Sequence, residues 1–172
     1  MKRLLSVSLI VLLSACASQT TQPEVDDLNS GNNMGNSNLS GSGSGSGRPG
    51  YFSQLQDPNS ILSQRSVYYD FDSYSVKSEY REMVLAHAKL LRDNPDASVI
   101  LQGNTDERGS REYNLALGQR RADSVKSMMT LSGASDNQIE AVSFGEEKPR
   151  AVGSGESAWS QNRRTDIVYR GE

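Results

Sequence analysis

The stretch GNTDERGS at 103–110, followed by REYNLALGQRR at 111–121, decides how this chain is interpreted. It predicts the end of a strand, a polar turn and then a helix. Gly103 and Gly109 bracket the turn, and Ser110 stands where a helix N-cap is expected, because its hydroxyl can accept a bond from a free backbone N–H of the first turn. The segment therefore predicts a loop that leads directly into a helix N-terminus.

This turn and helix bring opposite charges close to one helix face. Asp106 lies in the turn, and Arg120 and Arg121 follow 14 and 15 residues later. A helical wheel places both arginines inside or at the edge of an apolar stripe. The stripe is made by Tyr113, Leu117, Ser124, Met128 and Leu131. A guanidinium among apolar positions is costly unless it meets a carboxylate, so the arrangement suits a zwitterionic ligand.

Composition limits the classes of function. The 172 residues carry a net charge of −3 with both signs interspersed, so a basic surface for nucleic acid is not expected. The chain has one cysteine and one histidine, His87, which excludes an internal disulfide and leaves a metal site without its usual ligands. His87 falls on the apolar face of a predicted helix and is interpreted as a packed residue. No Gly-x-Ser-x-Gly elbow is present, so we expect neither an enzyme nor a cofactor.

The hydrophobic pattern predicts an α+β domain. Strands are expected at 67–71, 98–102, 139–144 and 165–169, and helices at 79–93 and 110–131, with a short helix at 156–162. The order β-α-β-α-β-(α)-β with short connections favours a two-layer α/β sandwich, with the helices on a mixed four-stranded sheet. We place this domain at 61–172.

The N-terminal part is expected to be a leader and a tether. Lys2 and Arg3 precede a short apolar run at 4–13, which is typical of a signal peptide over 1–15. The following segment, 16–60, is rich in Ser, Asn and Gly and has few apolar residues to offset chain entropy, so it predicts a flexible tether. Some 45 such residues have an r.m.s. reach on the order of 35–40 Å.

The residues 13–16, Leu-Ser-Ala-Cys, resemble a bacterial lipobox. The resemblance implies that Cys16 becomes the N-terminus and carries lipid; the alternative is an ordinary signal peptide with a chance cysteine. Position 18 is Ser, not the Asp that resembles an inner-membrane retention signal. This implies an outer membrane of a Gram-negative cell, with the domain facing the periplasm.

Four blocks between 67 and 169 together resemble the OmpA-like peptidoglycan-binding domains. They are the Asp106–Arg121 motif, Tyr-Asp-Phe-Asp at 69–72, Ser-Phe-Gly-Glu-Glu-Lys-Pro at 143–149 and Asn-Arg-Arg at 162–164. The blocks occur in order and at matching spacing, which makes the resemblance specific. It implies non-covalent binding of peptidoglycan through the meso-diaminopimelate of its stem peptide. It also implies partners in the Tol system, including the periplasmic β-propeller protein TolB.

The resemblance assigns a role to particular residues. Asp106 takes the ammonium of meso-diaminopimelate, and an arginine takes a carboxylate; the helical wheel leaves Arg120 and Arg121 open, and the family spacing selects Arg121. The alternative is that Asp106 and Arg121 form a structural ion pair with each other. If they do not pair, we expect the side chains of Asp106 and Arg121 both to face a wet pocket in the free domain. The other expected peptidoglycan-binding residues are Asn114, Asp72, Phe71, Leu117, Gly103, Thr105 and Arg164, with Arg163 beside them.

Alternatives remain open at several of these positions. Leu117 is equally compatible with a core role, Asp72 with an ordinary surface carboxylate, and the arginine pair at 163–164 with a sheet edge. Gly103 and Gly109 are expected to let backbone amides approach the ligand. At the level of function, the rival interpretation is a periplasmic protein-interaction adaptor that does not bind the wall directly.

Overall fold

The computed structural model describes residues 50–172. The expected leader, Cys16 and the tether as far as residue 49 lie outside the described residues. The helices of the described range are α1 (Tyr51–Gln56), α2 (Ser78–Asp93), α3 (Arg111–Leu131) and α4 (Glu156–Asn162). Its strands are β1 (Ser66–Tyr68), β2 (Val99–Asn104), β3 (Ile139–Gly145) and β4 (Arg164–Tyr169), and short 3₁₀ turns occupy Ile61–Ser63 and Asp136–Gln138.

These strands form one mixed sheet in the order β1–β4–β2–β3. Strand β4 runs antiparallel to both of its neighbours, whereas β2 and β3 are parallel. The core includes apolar residues of α2, α3 and the sheet, such as Leu91, Val125 and Leu101. Helices packed on a mixed four-stranded sheet confirm the predicted α+β fold class.

Helix α3 is positioned by its cap and by two glycines. The Ser110 hydroxyl accepts a hydrogen bond from the backbone N–H of Tyr113 at 3.2 Å, which caps the helix as predicted. A Cβ at Gly103 on β2 would overlap with the carbonyl of Gly118 on α3, and a Cβ at Gly118 would overlap with Ser143 on β3. The helix can therefore approach the sheet closely at this point.

The buried face of α3 differs from the predicted stripe. Tyr113 and Leu131 are exposed, and Leu117 is the only buried residue of the predicted set. The buried residues of the helix are Asn114, Leu117, Gly118, Arg121, Ala122, Val125 and Met129. The prediction failed because this face includes an amide, a glycine and an arginine, which an apolar pattern does not count.

The folded domain also begins earlier than predicted. Helix α1 falls inside the expected tether, yet Tyr51, Phe52 and Leu55 are buried in the same core as the sheet. Tyr51 packs against Tyr169 of β4, with ring centroids 6.1 Å apart. The boundary near residue 61 is therefore wrong, because three large apolar residues occur within the polar stretch that surrounds them.

His87 is buried on α2, as its position in the apolar pattern predicted. Its Nε2 lies 2.9 Å from the carbonyl oxygen of Gln64, and its Nδ1 lies 2.8 Å from the hydroxyl of Tyr169. The imidazole thus donates to the carbonyl from Nε2 and accepts from the tyrosine at Nδ1. Burial lowers the pKa of His87 to about 4, so the ring is neutral at pH 7.

Truncation tests the position of the domain boundary. A fragment starting at residue 61 loses the buried side chains of Tyr51, Phe52 and Leu55, each of which contributes about 1.5–3 kcal/mol when buried. We expect urea unfolding to give a free energy at least about 3 kcal/mol lower for 61–172 than for 50–172. Equal stability of the two fragments would show that α1 does not belong to the domain.

The buried imidazole predicts a pH dependence of stability. The folded-state pKa of His87 lies below the ordinary value of 6.5, so the unfolded chain binds more protons between pH 6.5 and about 4. The contribution of neutral His87 to the free energy of unfolding is therefore complete above pH 6.5, and about 3 kcal/mol of it is lost as the pH falls to about 4. We expect His87→Gln to flatten this slope in urea titrations. The same slope in both proteins would contradict the assignment.

Candidate functional site

A pocket of about 210 Å³ lies between the loops that follow β1 and β2 and the first half of α3. Strand β2 ends beside it at Asn104 and α3 begins there at Arg111, so side chains of several elements converge on it. Its lining residues are Phe71, Asp72, Thr105, Asp106, Arg108, Gly109, Tyr113, Asn114, Leu117, Arg121 and Arg163. The pocket combines acidic, basic and apolar groups in one small space.

Arg121 is the most deeply buried charge of the site, with 0% of its surface exposed. Its guanidinium donates three hydrogen bonds to backbone carbonyls: to Ser73 at 2.8 Å, to Asn104 at 2.8 Å and to Asp70 at 3.3 Å. A guanidinium carries five N–H groups, so two have no acceptor among the described residues. The side chain is therefore fixed in place and keeps part of its donor capacity free.

No carboxylate of the described residues forms an ion pair with Arg121. Burial lowers the pKa of Arg121 to about 10, against the opposing influence of Tyr69 and Asp106. The ring of Tyr69 lies 5.0 Å from the guanidinium carbon. At pH 7 the side chain still carries its positive charge, and its direct contacts are backbone carbonyls and a π-face, with no carboxylate paired to it.

Asp106 is 4% exposed and is held by two arginines. Arg108 donates to it from Nη2 at 2.6 Å and from Nε at 3.1 Å, and Arg163 donates from Nη1 at 3.3 Å. Burial alone would raise the pKa of Asp106, but the hydrogen bonds from Arg108 and Arg163 outweigh it and leave the pKa below its ordinary value. The carboxylate is therefore ionised at neutral pH.

The two charges at the centre of the motif are thus held separately. Asp106 and Arg121 do not form an ion pair with each other, so the structural-pair alternative is wrong. Both side chains line the pocket, as expected, but the expectation that water surrounds them there is wrong, because Arg121 is 0% and Asp106 4% exposed. Arg120, the alternative that the helical wheel left open, is exposed and does not line the pocket.

The arginine pair at 163–164 divides between two faces of the sheet. Arg163 lines the pocket and donates to the carbonyl of Tyr69 at 3.0 Å as well as to Asp106. Arg164 lies away from the pocket and pairs with Asp166 at 2.8 Å. Successive residues at a strand point to opposite faces, which is why only one of the two reaches the site. The structure therefore contradicts the choice of Arg164.

The two glycines of the turn also have different roles. Gly103 does not line the pocket; its lack of a side chain serves the close contact between β2 and α3. The expected ligand-facing role of Gly103 is therefore wrong. Gly109 does line the pocket and has a φ of 108°, a conformation that strongly favours glycine.

The remaining predicted residues all lie at the pocket. Asn114 is buried and donates from Nδ2 to Glu146, and Leu117 forms part of the apolar wall. Asp72 has a φ of 53° and accepts a bond from the hydroxyl of Tyr113. Phe71 is largely exposed at the rim. The hydroxyl of Thr105 is buried and has no partner within the described part of the chain.

Sequence reasoning missed Arg108 and Tyr113 as site residues. The guanidinium carbon of Arg108 lies 4.0 Å from the ring centroid of Phe71 and 4.0 Å from that of Trp159. The position of Arg108 two residues after Asp106, in a turn closed by Gly109, was the signal that could have indicated its contact with the carboxylate. Trp159, on α4, is far away in sequence and gave no such signal.

No group of three or more His, Cys, Asp or Glu side chains between residues 50 and 172 is arranged to hold a metal ion. Over the same range, every helix is too short or too polar to cross a bilayer.

Comparison with known proteins places the chain in a family. The sequence pattern of the OmpA family matches residues 68–163. The peptidoglycan-associated lipoprotein of Pasteurella multocida is 48% identical over 110 residues, which is 63% of this chain and 73% of that protein. The protein of the same name from Brucella melitensis is 35% identical over 159 residues, 92% of this chain and 86% of its own length.

Solved structures agree with this placement. The crystal structure of the peptidoglycan-associated lipoprotein from Burkholderia pseudomallei has a TM-score of 0.67 at 55% identity and covers 68% of this chain and 99% of that one. The C-terminal domain of Helicobacter pylori MotB, at 20% identity, has a TM-score of 0.56 over 62% of this chain and 83% of its own, and shows the shared fold alone. This chain belongs to the OmpA family, and within it to the group of the peptidoglycan-associated lipoproteins.

Proposed function

We propose that this chain is an outer-membrane lipoprotein that binds peptidoglycan without a covalent bond, through the meso-diaminopimelate of the stem peptide. The observation that carries the proposal is the buried guanidinium of Arg121, with two free donors beside an ionised Asp106. The names of the relatives describe peptidoglycan association and a lipid anchor, not catalysis, and they support a binding role.

The chemistry of the pocket fits a zwitterionic end group. In meso-diaminopimelate, the side chain ends in a carbon that carries both an ammonium and a carboxylate. Arg121 offers a planar pair of donors to the carboxylate, an interaction that a lysine could not reproduce. Asp106 receives the ammonium. The 210 Å³ volume admits a group of this size, and Leu117 and Phe71 contact its methylene chain.

Neighbouring groups complete the recognition of the ligand. Asn114 and the hydroxyl of Thr105 supply neutral polar contacts, and the unpartnered Thr105 oxygen has a bond to gain. Asp72 and Tyr113 form the opposite rim through their mutual hydrogen bond. The site therefore uses fixed, mostly buried polar groups, which lowers the cost of ordering them when the ligand binds.

In the proposed function the chain links two layers of the cell envelope. Lipid on Cys16 holds one end of the chain in the outer membrane, the segment after it acts as a tether, and the domain holds the cell wall from the periplasmic side. A single acyl chain anchors only weakly, so more than one chain on Cys16 is needed for stable attachment. The resemblance to the OmpA-like peptidoglycan-binding domains also supports a TolB-like β-propeller protein and other Tol components as partners in this proposal.

Charge removal at Asp106 tests wall binding. Loss of one partner of a desolvated ammonium–carboxylate contact costs about 2–5 kcal/mol, so we expect Asp106→Asn to weaken co-sedimentation with purified sacculi by roughly 30-fold or more. Arg121→Lys should weaken it as well, because lysine lacks the planar pair of donors. Arg121→Ala is a poor choice, since it would leave three buried carbonyls unpaired.

Matched controls separate recognition from general charge effects. Asp123 and Arg120 are exposed residues on the same helix and do not line the pocket. We expect Asp123→Asn and Arg120→Lys to bind sacculi like the wild type. If wild-type protein ignores sacculi, or if Asp106→Asn binds them equally well, the adaptor interpretation without direct wall binding replaces the proposal.

Substitution of Cys16 tests the anchor. The Cys16→Ser protein should keep its fold and its affinity for sacculi but leave the membrane fraction, because only the lipid holds it there. The measurement is fractionation of envelopes after wall digestion and a high-salt wash. A Cys16→Ser protein that remains with the outer membrane under those conditions contradicts lipid anchoring.

A further inference from the structure

The cation subsite of the pocket is already occupied by a residue of the chain itself. Arg108 donates to Oδ1 of Asp106 from its backbone N–H and its Nε, both at 3.1 Å, and to Oδ2 from Nη2 at 2.6 Å. Arg163 adds a bond to Oδ2 at 3.3 Å. Both oxygens of the carboxylate are therefore engaged. An incoming ammonium cannot bind Asp106 closely unless one of these donors leaves.

The two arginines differ in how firmly they are held. Arg163 is buried, with its side chain 6% exposed, and it also donates to the carbonyl of Tyr69 and to Glu156. The Arg108 side chain is 31% exposed, and within the described residues it has no other hydrogen-bonding partner than Asp106. Arg108 is thus the donor that can leave, whereas Arg163 remains and continues to neutralise part of the charge on Asp106.

Two aromatic rings hold the guanidinium of Arg108 from either side. Its central carbon lies 4.0 Å from the ring centroids of both Phe71 and Trp159. The Trp159 ring is itself fixed, because its Nε1 donates to Glu107 at 3.1 Å. The rings attract a cation through their π-faces and provide no acceptor for its N–H groups. Release of Arg108 from Asp106 therefore changes the environment of Trp159 directly.

We propose that Arg108 is a resident competitor in the ammonium subsite, and that the ligand binds by displacing its guanidinium from Asp106. This inference rests on the proposed function and adds a specificity-determining residue to it. A ligand that carries the ammonium replaces one charged donor by another. A ligand without it leaves Arg108 on Asp106, and the subsite stays closed. Selection against the wrong ligand is thus built into the free protein.

The test compares two probes on the full chain in detergent. One is the stem tripeptide L-Ala-γ-D-Glu-meso-diaminopimelate with its amino terminus blocked, and the other is the same peptide with the side-chain ammonium acetylated. We expect Arg108→Gln to bind the ammonium peptide about 3- to 10-fold more tightly than wild type, the effect of removing a partly exposed ion pair that competes with it. Affinity for the acetylated peptide should not rise.

Arg111→Gln is the matched control, because Arg111 lies three residues after Arg108, at the start of α3, and forms an exposed ion pair with Glu147 outside the pocket. It should bind both peptides like the wild type. The only tryptophan of the chain, Trp159, supplies a second readout through its fluorescence. Saturation of wild type with the ammonium peptide should change its fluorescence, and the change should be much smaller in Arg108→Gln.

Three results would overturn the inference: weaker binding of the ammonium peptide by Arg108→Gln, equal tightening for both peptides, or unchanged Trp159 fluorescence in saturated wild type. Weaker binding would mean that Arg108 assists the ligand. Equal tightening would mean that the charge of Arg108 affects both peptides alike. Unchanged fluorescence would mean that Arg108 stays on Asp106. Failure of the proposed function is distinguishable, because then wild type would not bind the ammonium peptide, or Asp106→Asn would bind it equally well.

Discussion

The buried guanidinium of Arg121 is the interaction on which the site depends. It joins the loop after β1, through the carbonyls of Asp70 and Ser73, to the end of β2, through the carbonyl of Asn104. One side chain on α3 thus fixes the two loops that form the pocket. Carbonyl dipoles stabilise the charge but do not neutralise it, and a buried charge without a counter-ion is costly. A bound carboxylate would supply the missing negative charge.

Close packing of helix and sheet makes that interaction possible. Gly103 and Gly118 meet without side chains between them, so α3 lies near enough to β2 for Arg121 to reach the carbonyl of Asn104. The same approach brings Asn114 and Leu117 to the pocket wall. The glycines therefore influence the site through the path of the backbone, although Gly103 does not line it. The carboxylate of Asp106 is held independently of this contact, by Arg108 and Arg163.

Much of this architecture could be predicted from the sequence, because the period of apolar residues and the turn signals agree with each other along 66–169. The failures have physical causes. The buried face of α3 was predicted wrongly because it carries Asn114, Gly118 and Arg121, whose burial depends on partners far away in the chain. Helix α1 was missed because its core residues occur in a polar stretch. Arg108 was missed although it stands two residues after Asp106, because the stacking on Trp159 that holds it there exists only after folding.

The site residues show the same division. The residues chosen from the motif itself, including Asp106, Asn114 and Arg121, do converge on one pocket. The sequence pattern could not predict which charged side chains pair with each other. A strand's alternation separates Arg163 from Arg164, and hydrogen bonding assigns the carboxylate of Asp106 to Arg108 and Arg163 instead of Arg121. Motif spacing predicts which residues meet, whereas pairing depends on the three-dimensional arrangement.

The most direct test of this account is calorimetric binding of two soluble stem peptides that differ only in the third residue, meso-diaminopimelate or L-lysine. Lysine keeps the side-chain ammonium but lacks the carboxylate that Arg121 is expected to receive. A charged hydrogen-bond partner lost in a desolvated site costs about 2–5 kcal/mol, so the diaminopimelate peptide should bind roughly 30-fold tighter or more. Equal affinity for the two peptides would contradict the central role of Arg121.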